Sequence, residues 1–170
     1  LERDPKNTEA LQLLATILLH SGKFEQAEQI FYGLARRAEL EGVKGREGLA
    51  SVYAAKGEFD RALAQTESVA KKAKKRAVAA RLQGDIDLAR DEVGAALKKY
   101  RKAVKKKAVT RFEKARIHNQ MGRVAMAQEK ERKAEAHFKD AIAADPLYLT
   151  ARYNLGVHYQ TEGEWGRALE

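Results

Sequence analysis

The sequence contains no cysteine, which excludes disulfides and thiolate chemistry and fits a cytoplasmic or a periplasmic location equally well. Of these two locations we favour the cytoplasm. Only two prolines are present and β-branched residues are few, so we do not expect strands. The longest uncharged apolar run, Ala10 to Gly22, is too short to cross a bilayer and contains Gln12 and His20. We therefore expect this run to form a buried helix.

An internal repeat is the strongest feature that the sequence does have. Five alanines follow one another at spacings of 35, 34, 38 and 34 residues: Ala27, Ala62, Ala96, Ala134 and Ala168. Each is preceded, twelve positions earlier, by a small residue: Ala15, Ala50, Gly84, Gly122 and Gly156. Three are followed, four positions later, by an aromatic residue: Phe31, Tyr100 and Phe138. A period of this length is typical of repeat architectures in which neighbouring units share one continuous core.

Each repeat is predicted to contain two amphipathic helices. The segment from Thr8 to Ser21 carries apolar residues at helical spacing, and a second apolar stripe begins at Phe24. Gly22 separates the two stripes, as expected of a residue just past a helix end. Small residues let the paired helices approach closely, while the aromatics pack between neighbouring hairpins. Helix breaks are expected near five residues: Gly22, Gly57, Asp91, Glu129 and Gly163.

The last copy shows the family resemblance best. It contains Asn154-Leu155-Gly156, followed by Tyr159, Gly163, Trp165 and Ala168. This pattern resembles the tetratricopeptide repeat. The resemblance implies an all-α, right-handed α-solenoid of about five stacked antiparallel helix hairpins. We place the repeats at residues 8–42, 43–76, 77–114, 115–148 and 149–170, with residues 1–7 as the tail of a preceding repeat. The last repeat is cut short, so we expect a piece of a longer protein that can self-associate end to end.

The same resemblance implies a protein–protein interaction scaffold that binds a peptide or protein segment in a concave groove lined by first helices. Register carried over from the family gives eight candidate groove residues: Arg81, Asp85, Arg116, Asn119, Arg123, Met126, Tyr153 and Asn154. The family's clamp of Lys, Asn and Arg for a chaperone's C-terminal carboxylate is incomplete here, so we do not predict chaperone-tail binding. We expect instead a polar, mildly basic subsite near Arg116, Asn119, Arg123 and Asn154.

The net charge of +9 is concentrated in one stretch of the chain. Between Lys71 and Arg116 there are 17 Lys and Arg against 5 Asp and Glu, a balance of +12. The stretch includes Lys71, Lys72, Lys74, Lys75, Arg76, Lys98, Lys99, Arg101, Lys102, Lys105, Lys106 and Lys107. Such a cluster is either a binding patch for nucleic acid, an anionic surface or an acidic partner, or a solvated helix face. We favour the solvated face, with Lys98, Lys99, Arg101 and Lys102 pointing outward.

Other polar residues carry weaker signals. Asp87 falls at a position that is apolar in the other repeats, and we expect the helix to rotate so that Asp87 reaches water. None of His20, His118, His137 and His158 joins a carboxylate at metal-ligand spacing, so we expect no metal site. No nucleophile elbow or phosphate-binding loop is present, and we predict neither catalysis nor a cofactor. The remaining alternative for the function of the chain is that it forms a docking or regulatory region of a larger enzyme.

Overall fold

The computed structural model describes residues 7–37, 39–71, 76–106 and 109–168, except for the side chains of residues 39–41 and 76. Within these ranges the chain is helical and contains no strand. The helices are α1 (Thr8–His20), α2 (Phe24–Ala35), α3 (Glu39–Ala55), α4 (Phe59–Ala70), α5 (Arg76–Ala89), α6 (Val93–Val104), α7 (Arg111–Ala127), α8 (Glu131–Ala144), α9 (Leu149–Thr161) and α10 (Trp165–Ala168). None of them is both long and apolar enough to cross a membrane.

The helices pair in sequence into five antiparallel hairpins, which confirms the expected stack of helix pairs. α3 and α7 are the longest at 17 residues each, and both begin upstream of the repeat boundaries placed at 42/43 and 114/115. Ala27, Ala62, Ala96 and Ala134 are fully buried between paired helices. Their methyl side chains allow the close approach that the periodic spacing predicted.

The three periodic aromatics fill the core. Phe31, Tyr100 and Phe138 are buried, and their rings lie directly against Gly48, Gly84 and Gly122 respectively. A Cβ atom at any of these glycines would lie less than 3 Å from the ring. Phe31 on α2 and Gly48 on α3 belong to neighbouring hairpins, whereas Tyr100 and Phe138 face glycines of their own hairpins. In each case the close approach of two helices depends on a large ring facing a residue without a side chain.

All five expected helix breaks are confirmed, and each uses the same backbone geometry. Gly22, Gly57 and Gly163 have φ values of 72°, 76° and 75°, while Asp91 and Glu129 have φ values of 63° and 54°. At every turn the amide of the following residue donates to the carbonyl five residues back, for example Lys130 N to Ala125 O at 2.9 Å. This is the Schellman motif, which satisfies the carbonyls at a helix C-terminus. Glycine suits the left-handed position best, so Asp91 and Glu129 adopt it at a conformational cost.

A polar link joins the first hairpin to the second. Tyr53 Oη donates to Glu28 Oε1 at 3.0 Å, and Arg61 Nη2 donates to Tyr53 Oη at 2.9 Å. The same three residue types recur between the fourth and fifth hairpins as Glu135, Tyr159 and Arg167. Each of these links ties a second helix to the next hairpin through one tyrosine, and we call both of them Tyr–Glu–Arg links.

Candidate functional site

One face of the stack is formed by the first helices of the hairpins. Consecutive first helices (α1 with α3, α3 with α5, α5 with α7 and α7 with α9) are in contact. No such contact joins consecutive second helices among the residues that the structure describes. Elements on the inside of a curved stack lie closer together than those on the outside, so the first helices line the inner face. This is the surface on which the groove residues were expected.

A buried arginine organises the centre of the inner face. Arg81 on α5 is only 3% exposed, and its Nε donates to Glu113 Oε1 on α7 at 2.6 Å. Its Nη2 donates to Glu47 Oε2 on α3 at 2.9 Å, and its Nη1 donates to Asp85 one turn along α5. Burial alone would lower the pKa of Arg81, but the three carboxylates outweigh this effect and raise that pKa above its ordinary value. Arg81 therefore stays charged and ties three consecutive first helices together.

Further donors complete this central ionic cluster. Arg116 Nη1 donates to Glu47 Oε2 at 3.0 Å. Asp85 Oδ1 accepts from Tyr100 Oη at 2.6 Å and from Gln120 Nε2 at 3.1 Å. Burial, and then the charge of Asp85, raise the pKa of Tyr100, so its hydroxyl stays protonated as a donor. The cluster satisfies its buried charges internally, as buried ionic groups require.

The cluster corrects part of the expected groove. Arg81, expected to present an accessible guanidinium, is buried, and its three carboxylate partners occupy it. Asp85 and Arg116 are partly buried and are engaged in the same cluster. The sequence expectation failed because a register places a residue on a face but does not reveal which neighbours neutralise it.

The inner face of the fourth and fifth hairpins is different. Asn119 on α7 is 3% exposed, which corrects the expectation that it is accessible, and its Oδ1 accepts from Asn154 Nδ2 on α9 at 2.8 Å. Arg123 lies one turn after Asn119, is exposed and donates to Gln120 Oε1 at 3.0 Å. It forms no ion pair with any residue that the structure describes. Tyr153, next to Asn154, is 72% exposed.

Two features extend this accessible surface. Met126 is half-buried near the end of α7, where it packs on the cluster that contains Phe138. A pocket of about 390 Å³ lies between α9 and α10, lined by Arg152, Tyr153, Gly156, Val157, Gln160, Trp165 and Ala168. Trp165 is 61% exposed at its mouth. End-to-end self-association through this surface stays a prediction.

The basic stretch is divided by the structure into three parts. Lys98, Arg101, Lys102 and Lys105 are exposed along one side of α6, as expected of a solvated face. Lys106 is half-buried, while Lys72, Lys74, Lys75, Lys107 and the side chain of Arg76 lie outside the described residues. Lys99 has a structural role, because its Nζ lies 2.9 Å from the carboxylate of Asp87.

The same contact corrects the expectation for Asp87. Its side chain is buried rather than turned to water, and Lys99 from α6 neutralises it. The helix buries Leu82 and Ile86, while Ala89 is exposed. The long stem of Lys99 lets its ammonium group reach from α6 back to α5. This reach makes rotation of α5 unnecessary.

The structure also brings together three polar residues that the sequence analysis did not group. His118 on α7 and His137 and Asp140 on α8 present ligand atoms that all lie within 4.8 Å of one another. The signal was present in the sequence, since His118 lies 11 residues before the turn residue Glu129 and Asp140 lies 11 residues after it. An antiparallel hairpin brings such equidistant residues together.

Comparison with known proteins agrees with this architecture. Tetratricopeptide-repeat family models match residues 1–29 and residues 119–170. A search of curated proteins found no match. Among solved structures, the chain is similar to PilF of Pseudomonas aeruginosa, with a TM-score of 0.59, 16% identity, and 95% of this chain and 71% of that one covered.

Two further solved structures share the fold. BtubC from P. vanneervenii has a TM-score of 0.56 and 18% identity, covering 94% of this chain and 74% of that one. MamA has a TM-score of 0.55 and 19% identity, covering 91% of this chain and 88% of that one. At this level of identity the similarity shows the fold alone.

Proposed function

Because this chain is a tetratricopeptide-repeat protein, we propose that the inner face of its fourth and fifth hairpins binds an extended segment of a partner protein. The repeat fold is in general a protein-interaction scaffold, and the proposal narrows that role to one part of one face. We call this part the α7–α9 surface and define it by Arg123, Met126, Tyr153 and the Asn119–Asn154 pair.

The single observation that carries the proposal is the contrast between Arg81 and Arg123. Both lie on the inner face, but three carboxylates occupy Arg81, whereas the only described hydrogen-bond partner of Arg123 is the neutral side chain of Gln120. An exposed guanidinium without a carboxylate is able to bind one from a partner in a bidentate manner. The α7–α9 surface is thus the part of the inner face whose charge is still available.

The surrounding side chains favour a ligand with an apolar residue close to its carboxylate. Tyr153 offers a large contact area and loses little entropy on binding, because it has only two side-chain torsions. Met126 adapts its shape to different partners. Aromatic and arginine residues are enriched among the residues that dominate binding energy at interfaces.

The Asn119–Asn154 hydrogen bond holds this surface together. It joins α7 to α9 at 2.8 Å, next to Tyr153 and one turn from Arg123. The two contact residues therefore sit on helices whose relative position is fixed before a ligand arrives. Preorganisation of this kind reduces the entropic cost of binding.

Selection from a random peptide library displayed on phage tests the proposal. We expect the selected peptides to carry an acidic residue or a free C-terminal carboxylate close to an aromatic or aliphatic residue. Trp165 is the only tryptophan and borders the adjoining pocket, so its emission should change on binding. Selected peptides that are uniformly basic, or that leave the Trp165 emission unchanged while binding, would contradict the proposal.

A second candidate function rests on α6. Lys98, Arg101, Lys102 and Lys105 are exposed along one side of this helix, and none of them forms an ion pair with a described residue. Such a strip is able to bind phosphates of nucleic acid or of an anionic surface, with release of counterions. Salt separates the two candidates, because binding of several phosphates weakens steeply as salt rises, whereas one ion pair at Arg123 with apolar contact at Tyr153 weakens far less.

A further inference from the structure

Two histidines and an aspartate form a compact group within the fourth hairpin. His118 Nδ1 lies 3.4 Å from Asp140 Oδ2, and His137 Nδ1 lies 3.9 Å from the same oxygen. The two imidazole rings are 6.0 Å apart between centroids. His118 belongs to α7, whereas His137 and Asp140 are one turn apart on α8, so the group joins the two helices.

The polar atoms of this group are poorly satisfied by the protein. Both Nδ1 atoms are buried, and neither makes a hydrogen bond with any residue that the structure describes. A buried, unpaired polar atom costs free energy, and most such atoms in folded proteins have a partner. Two unpaired nitrogens that face a single carboxylate are therefore an arrangement that a ligand would complete.

We propose that His118, His137 and Asp140 bind a divalent transition-metal ion of the zinc class. Imidazole nitrogen and carboxylate oxygen together suit zinc, whereas magnesium and calcium prefer oxygen ligands alone. Three protein ligands leave a fourth coordination position for water.

The distances are close to those that zinc needs. Bonds of about 2.0–2.1 Å in tetrahedral geometry place ligand atoms roughly 3.4 Å apart. The His118–Asp140 distance of 3.4 Å already meets this requirement, and the three ligand atoms lie within 4.8 Å of one another. A small rotation of the His137 ring and of the Asp140 carboxylate would shorten the remaining distances between ligand atoms to this value. Asp140 is 57% exposed on its side chain, so it is free to make that movement.

The residues around the site include some that favour and some that oppose binding of the metal ion. Burial lowers the pKa of His118 and of His137, which favours the neutral imidazole that metal ligation requires. Asp140 supplies the negative charge. Lys114 near His118, and Arg101 and Lys133 near His137, repel a cation. We therefore expect weaker binding than in a structural site with four protein ligands.

The proposal predicts a specific gain in stability. An ion held between α7 and α8 binds the folded chain only, so it raises Tm by mass action. At a hundredfold excess of free zinc over Kd, the rise should be about 5–10 °C for a chain of this size. The ligands do not include Arg123 or Tyr153, so the site and the α7–α9 surface can be tested separately.

Isothermal titration of zinc chloride into the metal-stripped chain tests the site. We expect one zinc ion per chain, and we expect cobalt(II) in its place to give the intense visible absorption of a tetrahedral complex. His118→Ala and His137→Ala should each weaken binding more than about tenfold. His20→Ala, which removes an exposed histidine at the end of α1, is the matched control and should leave zinc binding unchanged.

Asp140→Asn addresses the case in which a histidine variant does not fold. Because Asp140 is exposed, this variant should keep the helical circular dichroism of the parent chain while it loses zinc affinity. The proposal is overturned if the parent chain takes up no zinc. It is also overturned if zinc binds equally well to His118→Ala, His137→Ala and Asp140→Asn, or if His20→Ala loses as much affinity as they do.

Discussion

The guanidinium carbon of Arg61 lies 4.0 Å from the centre of the Tyr53 ring, over its face. Arg167 and Tyr159 repeat this arrangement at 4.1 Å, 106 residues further along the chain. In both places the tyrosine hydroxyl also donates to a glutamate on the preceding hairpin. Cation–π contact and hydrogen bonding thus act on the same ring, and each Tyr–Glu–Arg link stabilises the junction between two hairpins.

Removing one hydroxyl should weaken such a junction measurably. Tyr53→Phe keeps the ring under Arg61 but removes the hydrogen bonds that the hydroxyl makes with Glu28 and Arg61. We expect the free energy of unfolding to fall by about 1 kcal/mol, as determined by urea denaturation. Tyr32→Phe, on an exposed tyrosine of α2, is the control and should change stability by less than about 0.5 kcal/mol. Equal losses in the two variants would argue against the link.

The central ionic cluster predicts a larger effect at Arg81. Arg81→Met leaves Glu47, Asp85 and Glu113 without their shared cation. Breaking a buried ion pair on one side costs about 3–5 kcal/mol, because the remaining charges stay buried and unpaired. Chemical denaturation measures the loss in free energy of unfolding for this variant and for the control Arg111→Met, which changes an exposed residue on α7. A loss at Arg81 no greater than at Arg111 would show that the cluster contributes little.

The left-handed turns predict a stabilising substitution. Glu129 has a φ of 54° at a position that Gly22, Gly57 and Gly163 occupy in other hairpins. Glu129→Gly removes the strain that a Cβ atom causes in this conformation. The greater freedom of glycine in the unfolded chain offsets part of that stabilisation. We expect the free energy of unfolding, measured by thermal denaturation, to rise by about 0.5–1 kcal/mol. Gly57→Ala should do the opposite, and a gain in both variants would contradict the explanation.

Acid should weaken the link between the last two hairpins. Hydrogen bonds from Lys139, then from Tyr159 and Arg167, lower the pKa of Glu135 to about 2, from 4.5. The unfolded chain therefore takes up this proton first as pH falls from about 4.5 to about 2, and the free energy of unfolding decreases across that window. Denaturant unfolding at a series of pH values should show a shallower acid dependence for Glu135→Gln than for Glu131→Gln. The same slope in both variants would remove Glu135 as the cause.

Periodic features of the fold were readable from the sequence, whereas contacts between distant charges were not. The alanine period gave the helix pairs, and the five expected breaks coincide with the five left-handed turns. These features depend on local pattern and on the chemistry of one residue at a time. The right-handed sense of the solenoid and the repeat boundaries stay predictions.

Arg81, Asp87 and the histidines show why the rest could not be predicted. The burial of Arg81 depends on carboxylates that lie 34 residues before it and 32 residues after it. Asp87 is buried because Lys99 reaches it across the hairpin, and His118 meets Asp140 only once the turn at Glu129 has formed. A helical register places each side chain on a face, but pairing across helices decides whether that side chain is free to bind anything else.

The central claim is that the α7–α9 surface, and not the basic strip on α6, holds the partner segment. Fluorescence anisotropy of a selected, labelled peptide tests it most directly, with two double variants compared with the parent chain. We predict that Arg123→Ala with Tyr153→Ala raises Kd by about a hundredfold, because the loss of two side chains that each contribute somewhat more than about 1 kcal/mol comes to about 2.7 kcal/mol. Lys98→Ala with Lys102→Ala should leave Kd within about threefold of the parent value. If the lysine pair abolishes binding and the Arg123–Tyr153 pair leaves it intact, the α7–α9 surface is not the site.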